Sequence, residues 1–304
     1  MRVFVTGASG HIASAVVPLL VAAGHEVAGL ARSDASAAAV AALGAEVVRG
    51  DLDDIGGLRK AAASADGVMH FAFKHDAMAR GDFAGAVASD LRVLTAFGEE
   101  LDGTGKALVA MGGTMMLAPD GRAERPVTEE DTMVSGPRVD AENLVAGLAG
   151  RGVRSSVVRL SPVVHSSLDH HGFAPILIGL AREKGYAGYV GDGANRWPAV
   201  HTLDAARLCA LALEQAPAGS RLHAVADEGV PFREFAERIG RHLGLPARSV
   251  DPEDADAHFG FLGRLVGRDN PISSARTREL LGWEPVHPGL LDDLDLGHYF
   301  ATGA

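Results

Sequence analysis

Val5-Thr6-Gly7-Ala8-Ser9-Gly10-His11-Ile12-Ala13 joins a short apolar run, Arg2–Thr6, to a helical pattern that continues to about Ala23. A strand, a glycine turn and a helix in that order make a phosphate-binding corner. Gly7 permits the tight turn, and Gly10 lets the backbone approach a pyrophosphate. The free N–H groups and positive dipole of the helix start face the same place. Ala13 stands where a small residue lets the helix pack against the strand. The spacing therefore predicts Gly7, Ser9, Gly10, His11 and Ile12 as contacts to a dinucleotide.

Outward from this corner the chain alternates strand and helix. Strands are expected at Glu26–Ala31, Glu46–Arg49, Gly67–Phe71, Ala107–Met111 and Ser155–Leu160, and long helices at Phe83–Leu101 and Arg138–Ala149. Such alternation predicts an α/β fold, a Rossmann doubly wound parallel sheet covered on both faces. Residues 1–160 read as the dinucleotide-binding domain and 161–304 as a smaller C-terminal substrate lobe. Within the lobe, helices are expected around Pro175–Lys184, at Leu203–Glu214, at Pro231–Leu243 and at Ser274–Leu281. The stretch of about 203–226 carries a helix and a strand, Leu222–Ala226, that return to the sheet, so the lobe interleaves with it. Asp251–Asn270 reads as irregular.

The ends of the strands choose the nucleotide. Ala31-Arg32-Ser33 closes the second strand without the carboxylate that would hold the ribose hydroxyls of NAD(H). Arg32 instead offers a guanidinium to a 2′-phosphate, with Ser33 as a hydroxyl donor, so NADP(H) is expected rather than NAD(H). Asp51 and Leu52 follow the third strand and flank the adenine. Phe71, Ala72 and Phe73 line the trough.

Composition narrows the class. The 304 residues are 47% hydrophobic and 22% charged, with a net charge of −11 and one cysteine, Cys209. A net-acidic globular chain argues against nonspecific nucleic-acid or anionic-membrane partners and leaves a small-molecule substrate. A single cysteine allows no internal disulfide and fits a reducing, cytoplasmic setting. No apolar run reaches the ~18 residues of a membrane span, and the N-terminus does not read as a signal peptide. Asp169, His170 and His171 lack a spaced fourth ligand, so no metal site is read there.

With these elements in place the chain resembles an extended or atypical short-chain dehydrogenase/reductase of the NAD-dependent epimerase/dehydratase group. The resemblance rests on the Gly7–Ala13 corner, Gly50-Asp51-Leu52, Arg159-Leu160-Ser161-Pro162, Gly191-Asp192-Gly193 through His201 with Asp204, and Glu279-Leu280-Leu281-Gly282-Trp283-Glu284-Pro285. It implies cofactor contacts from Ser161 and Val163 and a homodimer packed through paired helices. It also implies a tyrosine–lysine pair, Tyr-x-x-x-Lys, and a serine or threonine after the fifth strand. Here Val134 stands at the tyrosine position and Arg138 at the lysine position. Gly112 or Gly113 stands at the serine position, with only Thr114 beside them keeping a hydroxyl. The catalytic set is degenerate.

Valine moves no proton, whereas arginine stays charged and holds a ribose or an oxyanion. Arg138, Thr114 and His165 are thus the candidate catalytic residues, Arg138 also touching the cofactor. His165 and the loop histidines, including His75 and His170, are the natural substitute proton donors. Met115, Val134, His165, His170 and Trp197 are the expected substrate wall, apolar and aromatic. Trp283 reads as structural, as does Cys209. Three functions fit: an NADPH-dependent oxidoreductase with a non-standard proton donor, a non-redox isomerase, cyclase or lyase on the same scaffold, and a silent NADP(H)-binding protein.

Overall fold

A computed structural model describes residues 1–119 and 121–301. Seven parallel strands make the central sheet: β1 (Arg2–Thr6), β2 (Glu26–Ala31), β3 (Glu46–Arg49), β4 (Gly67–His70), β5 (Ala107–Gly113), β6 (Arg154–Leu160) and, later in the chain, β10 (Ser220–Ala224). Their order across the sheet is β10-β6-β5-β4-β1-β2-β3. The direction of winding reverses between β1 and its neighbours β2 and β4. That reversal opens a crevice at the carboxyl ends of the strands, where open α/β sheets bind ligands. The inner strands are apolar on both faces because helices cover both sides. Val3, Phe4 and Val5 of β1 are all buried.

One face carries helices His11–Ala22 and Thr202–Gln215, which sandwich Val16, Leu20, Leu208 and Leu213 against the sheet. The other face carries Leu58, Val93, Phe97 and Leu148. Cys209 is buried in the first of these layers, where burial pushes its thiol up to about 12. Trp283 is buried there too and donates its indole N–H to the Asp204 carbonyl at 3.0 Å, a packing role.

The lobe has its own core around Trp197, Phe232, Phe235, Leu262 and Leu290. It contains five strands that periodicity misses: β7 (Val163–His165), β8 (Ala187–Val190), β9 (Arg196–His201), β11 (Asp227–Pro231) and β12 (Ala247–Val250). β11, β9 and β7 form one small sheet, and β12 and β8 another. Each spans three to six residues, too few to show alternation. Asp251–Asn270 is less irregular than expected: it forms short turns of helix at Pro252–Asp254, Ala255–Phe259, Gly260–Leu262 and Gly263–Val266. β10 returns to the central sheet beside β6, as the Leu222–Ala226 pattern predicts. No described helix is long and apolar enough to cross a membrane.

Candidate active site

The corner after β1 has the geometry its glycines demand. Gly7 adopts φ +67, and a Cβ there would sit 2.8 Å from the Ala72 amide nitrogen. Side chains are thus barred by the backbone conformation and by space. Gly10 caps helix His11–Ala22, donating its N–H to the Gly7 carbonyl at 2.8 Å. Ala8 and Ala13 are buried against the sheet, while Ser9 and Gly10 face solvent and His11 and Ile12 are half-buried. The residues present fit a pyrophosphate cradle.

Arg32 is exposed at the end of β2, its guanidinium 3.5 Å from Asp76. Ser33 is committed elsewhere: its hydroxyl accepts the Ser36 N–H at 3.1 Å and caps helix Asp34–Ala42. Asp51 accepts the N–H groups of Asp53 and Asp54, shaping the loop after β3, with Leu52 half-buried beneath it. Phe71 and Ala72 are tied to Thr6, by N–H bonds to its carbonyl (3.2 Å) and hydroxyl (3.3 Å). All of these lie at the carboxyl edge of the sheet.

Arg138 is the centre of the other half of the crevice. It adopts φ 68, the one positive φ outside glycine among the described residues, at the start of helix Val139–Gly147. A non-glycine side chain in that region costs about 1–2 kcal/mol, so neighbours must hold it. Its guanidinium donates to Asp90 at 2.6 Å and to the Met111 carbonyl at 2.7 Å, and lies 4.5 Å from the Phe73 ring centre. Asp90 is buried and also accepts from His70 Nε2 at 3.1 Å. His70 Nδ1 in turn is hydrogen-bonded to the Thr6 hydroxyl at 2.7 Å. A buried chain thus runs from the residue before Gly7 to Arg138. Sequence reasoning missed Thr6, His70 and Asp90. Asp90 left a signal, since it occupies the apolar stripe Ala86–Val93–Phe97 of helix Phe83–Glu100.

Beside Arg138 is a small pocket walled by Gly112, Gly113, Met116, Met133 and Glu142. A Cβ on Gly113 would meet nothing within 4 Å, while one on Gly112 would press on Val157 and Glu142. Glu142 receives Arg159 in two bonds (2.5 and 3.0 Å) and Arg221 at 2.8 Å. Burial, which raises its carboxyl, is outweighed by those guanidiniums, which hold it below the usual range. Arg159 is 0% exposed and turned from the crevice towards His223.

Several expected site residues lie elsewhere. Val134 is 97% exposed at the surface, so it presents its side chain to solvent and not to a pocket. Thr114 is buried, and its hydroxyl accepts from Asn270 at 3.4 Å; Met115 packs towards the lobe core. Trp197 is 1% exposed, wedged between Phe173 and Phe232, and forms no open wall. Ser161 donates its hydroxyl to the Ala224 carbonyl and Val163 is in the core, so neither side chain is free for a cofactor. His165 is buried and donates Nδ1–H to Asp293 at 2.9 Å. For Ser161, Val163 and His165 the cause is shared: the chain after β6 turns inward as β7, an element the sequence pattern does not show. His170 remains exposed, with His171 beside it.

The lobe side of the crevice is a polar cluster. His11 lies 2.8 Å from the Thr202 hydroxyl and 3.8 Å from the Asp169 carboxylate. Tyr299 donates to Asp169 at 3.0 Å; burial and then that carboxylate push its phenol well above the ordinary range. His75 packs edge-on against Phe73 at 5.3 Å; burial and then Arg138 lower its pKa.

Deeper in, His201 accepts the Leu203 N–H and stacks on His287. Burial, then His165 and His287, lower it to about 4. A depressed histidine stays neutral when folded and takes a proton on unfolding. Its stabilisation is full above pH 6.5 and is lost as pH falls towards 4, on the order of 2–3 kcal/mol. His201→Asn, which keeps a capping acceptor, should flatten the fall in stability between pH 6.5 and 4.5 in urea denaturation. An unchanged slope would count against this role.

The chain belongs to the NAD-dependent epimerase/dehydratase family, whose model matches residues 3–225. The expected kinship with extended short-chain dehydrogenases holds. The chain is 45% identical over 300 residues to an uncharacterised protein of Schizosaccharomyces pombe, covering 99% of this chain and 100% of that one. It is 28% identical to a Stigmatella aurantiaca ketoreductase of 4-hydroxy-2-methyl-3-oxo-4-farnesyl-3,4-dihydroquinoline-1-oxide, covering 93% and 92%. In fold it is similar to a dTDP-glucose 4,6-dehydratase of Streptomyces venezuelae solved with NAD bound: TM-score 0.78, 20% identity, 98% and 96% covered.

Proposed function

We propose that this chain is an NADPH-dependent oxidoreductase that reduces a small, largely apolar carbonyl-type substrate, with Arg138 standing in for the tyrosine–lysine pair. The observation that carries the reading is Arg138 itself. A guanidinium held at positive φ by a buried carboxylate, beside a small pocket, is a strained arrangement of the kind that clusters at functional sites. Kinship with a ketoreductase supports a redox reaction. When bound, the nicotinamide supplies the hydride.

Ser9 and the first turn of helix His11–Ala22 offer backbone N–H groups, and Gly7 and Gly10 offer space, to the pyrophosphate. Arg32 meets the 2′-phosphate, and Phe71–Phe73 floor the trough. Arg138 binds the substrate oxygen and stabilises negative charge that develops there; it stays protonated throughout. Thr114 and His165, both buried, act only by shaping their surroundings. Solvent reaches the crevice past His75 and delivers the proton to the product oxygen. Met116 and Met133 give the pocket an adaptable apolar wall.

The test is calorimetric titration of nucleotide-free protein with NADPH and NADH, followed by NADPH consumption with ketones, imines and enones. NADPH is expected to bind about tenfold or more tighter than NADH, and Arg32→Asp should abolish that preference. Failure to bind either nucleotide would overturn the reading. Turnover without any change in nicotinamide absorbance would favour a non-redox isomerase or lyase.

A further inference from the structure

Asp76 is an acidic residue at the wrong place for a protein that binds a phosphate. It sits in the first turn of the short helix His75–Ala79, beyond β4. Its carboxylate Oδ2 lies 3.5 Å from Arg32 Nη1 and 3.8 Å from Arg80 Nη2. Arg32 ends β2 and Arg80 closes the helix after β4, so the two cations approach one point from the two strands that flank β1. Among the described residues no other carboxylate pairs with either. The segment is moored to the loop after β3 by Lys74, whose ammonium reaches Asp53 at 2.7 Å.

The arginines and Asp76 are all solvent-exposed. An exposed ion pair of this kind is weak, so a better anion can displace the carboxylate. Two guanidiniums around one carboxylate is also the arrangement that a phosphate takes, with more acceptor oxygens and more charge.

We propose that Arg80 and Arg32 together form the binding site for the 2′-phosphate of the cofactor, and that Asp76 is an internal carboxylate that holds this site until the phosphate displaces it. The inference rests on the NADPH reading above and adds two residues to it. Asp76 sets how strongly the phosphate is preferred: it competes with the phosphate for both arginines and repels it on approach. NADH carries no 2′-phosphate and is indifferent to the pair.

Asp76→Asn keeps the size of the side chain and removes its charge at an exposed position. NADPH affinity should rise about three- to tenfold at low ionic strength and less at high salt, where exposed charges are screened; NADH affinity should stay within twofold. Arg80→Gln should weaken NADPH about fivefold and spare NADH. An unchanged or weaker NADPH affinity in Asp76→Asn, or an unchanged one in Arg80→Gln, overturns the inference if the wild type still prefers NADPH. A wild type that binds NADH as tightly as NADPH overturns the reading on which it rests.

Discussion

Gly7→Ala is expected to lower nucleotide affinity at least about 100-fold and stability by about 2–3 kcal/mol. Two separate effects add. The φ of +67 costs any residue with a Cβ about 1–2 kcal/mol. The new methyl would also sit 2.8 Å from the backbone nitrogen of Ala72, which cannot rotate away. Relief requires Ala72 to shift, breaking its bond to Thr6 and lifting Phe71–Phe73 from the trough floor. Gly10→Ala is the control. Its φ is ordinary at −79, and its methyl would meet only the Gly7 carbonyl oxygen at 3.0 Å. That variant should lose nucleotide affinity with little loss of stability. Calorimetry and urea denaturation on both proteins separate the effects. Gly7→Ala binding NADPH within threefold of the wild type would mean that this corner is not the phosphate cradle.

The second large effect is at Arg138. Arg138→Met should lower NADPH-dependent turnover about 10²-fold or more and destabilise the fold by about 3 kcal/mol. Asp90 is 3% exposed and would be left with His70 as its sole polar partner; orphaning a buried charge costs about 3–5 kcal/mol. The strain at φ 68 stays with methionine, so it offsets nothing. Adding Asp90→Asn removes the orphaned charge and still accepts the His70 N–H. The double variant should recover most of the stability and none of the turnover. That split separates a reacting role from a structural one. Full turnover in the single variant would exclude the guanidinium from the chemistry.

Most of the central sheet was legible in the sequence because its strands are buried on both sides and its helices are long. The Gly7–Ala13 corner was legible because a tight strand-to-helix turn demands glycine where the backbone has a positive φ and no room for a side chain. The lobe was harder to read: β7, β9 and β11 are short and owe their pairing to partners far along the chain. That hidden β7 is why the loop histidine His165 turns inward to Asp293 and Ser161 is spent on the Ala224 carbonyl. Arg138 was found from its place relative to the missing lysine. Its left-handed backbone and its tether to Asp90 are tertiary facts that no periodicity carries. Trp197 shows the opposite error: the resemblance puts the stretch after Gly191-Asp192-Gly193 on the substrate wall, but burial by Phe173 and Phe232 makes this tryptophan core.

The return of β10 to the edge of the sheet bears on how the chain folds. β6 finds its outer neighbour more than sixty residues later, with Ser156 opposite Ser220 and Leu160 opposite Ala224. During synthesis, the first 160 residues would emerge with the β6 edge unpaired and Arg159 lacking the His223 ring that completes its surroundings. An open strand edge is a template for wrong pairing. The sheet becomes whole only after helix Thr202–Gln215 has crossed its face and delivered the last strand. Closure over so long a loop is a slow, non-local step. The outer edge of the central sheet and the lobe are therefore expected to form together, and the first 160 residues are not expected to stand as a finished half awaiting its partner.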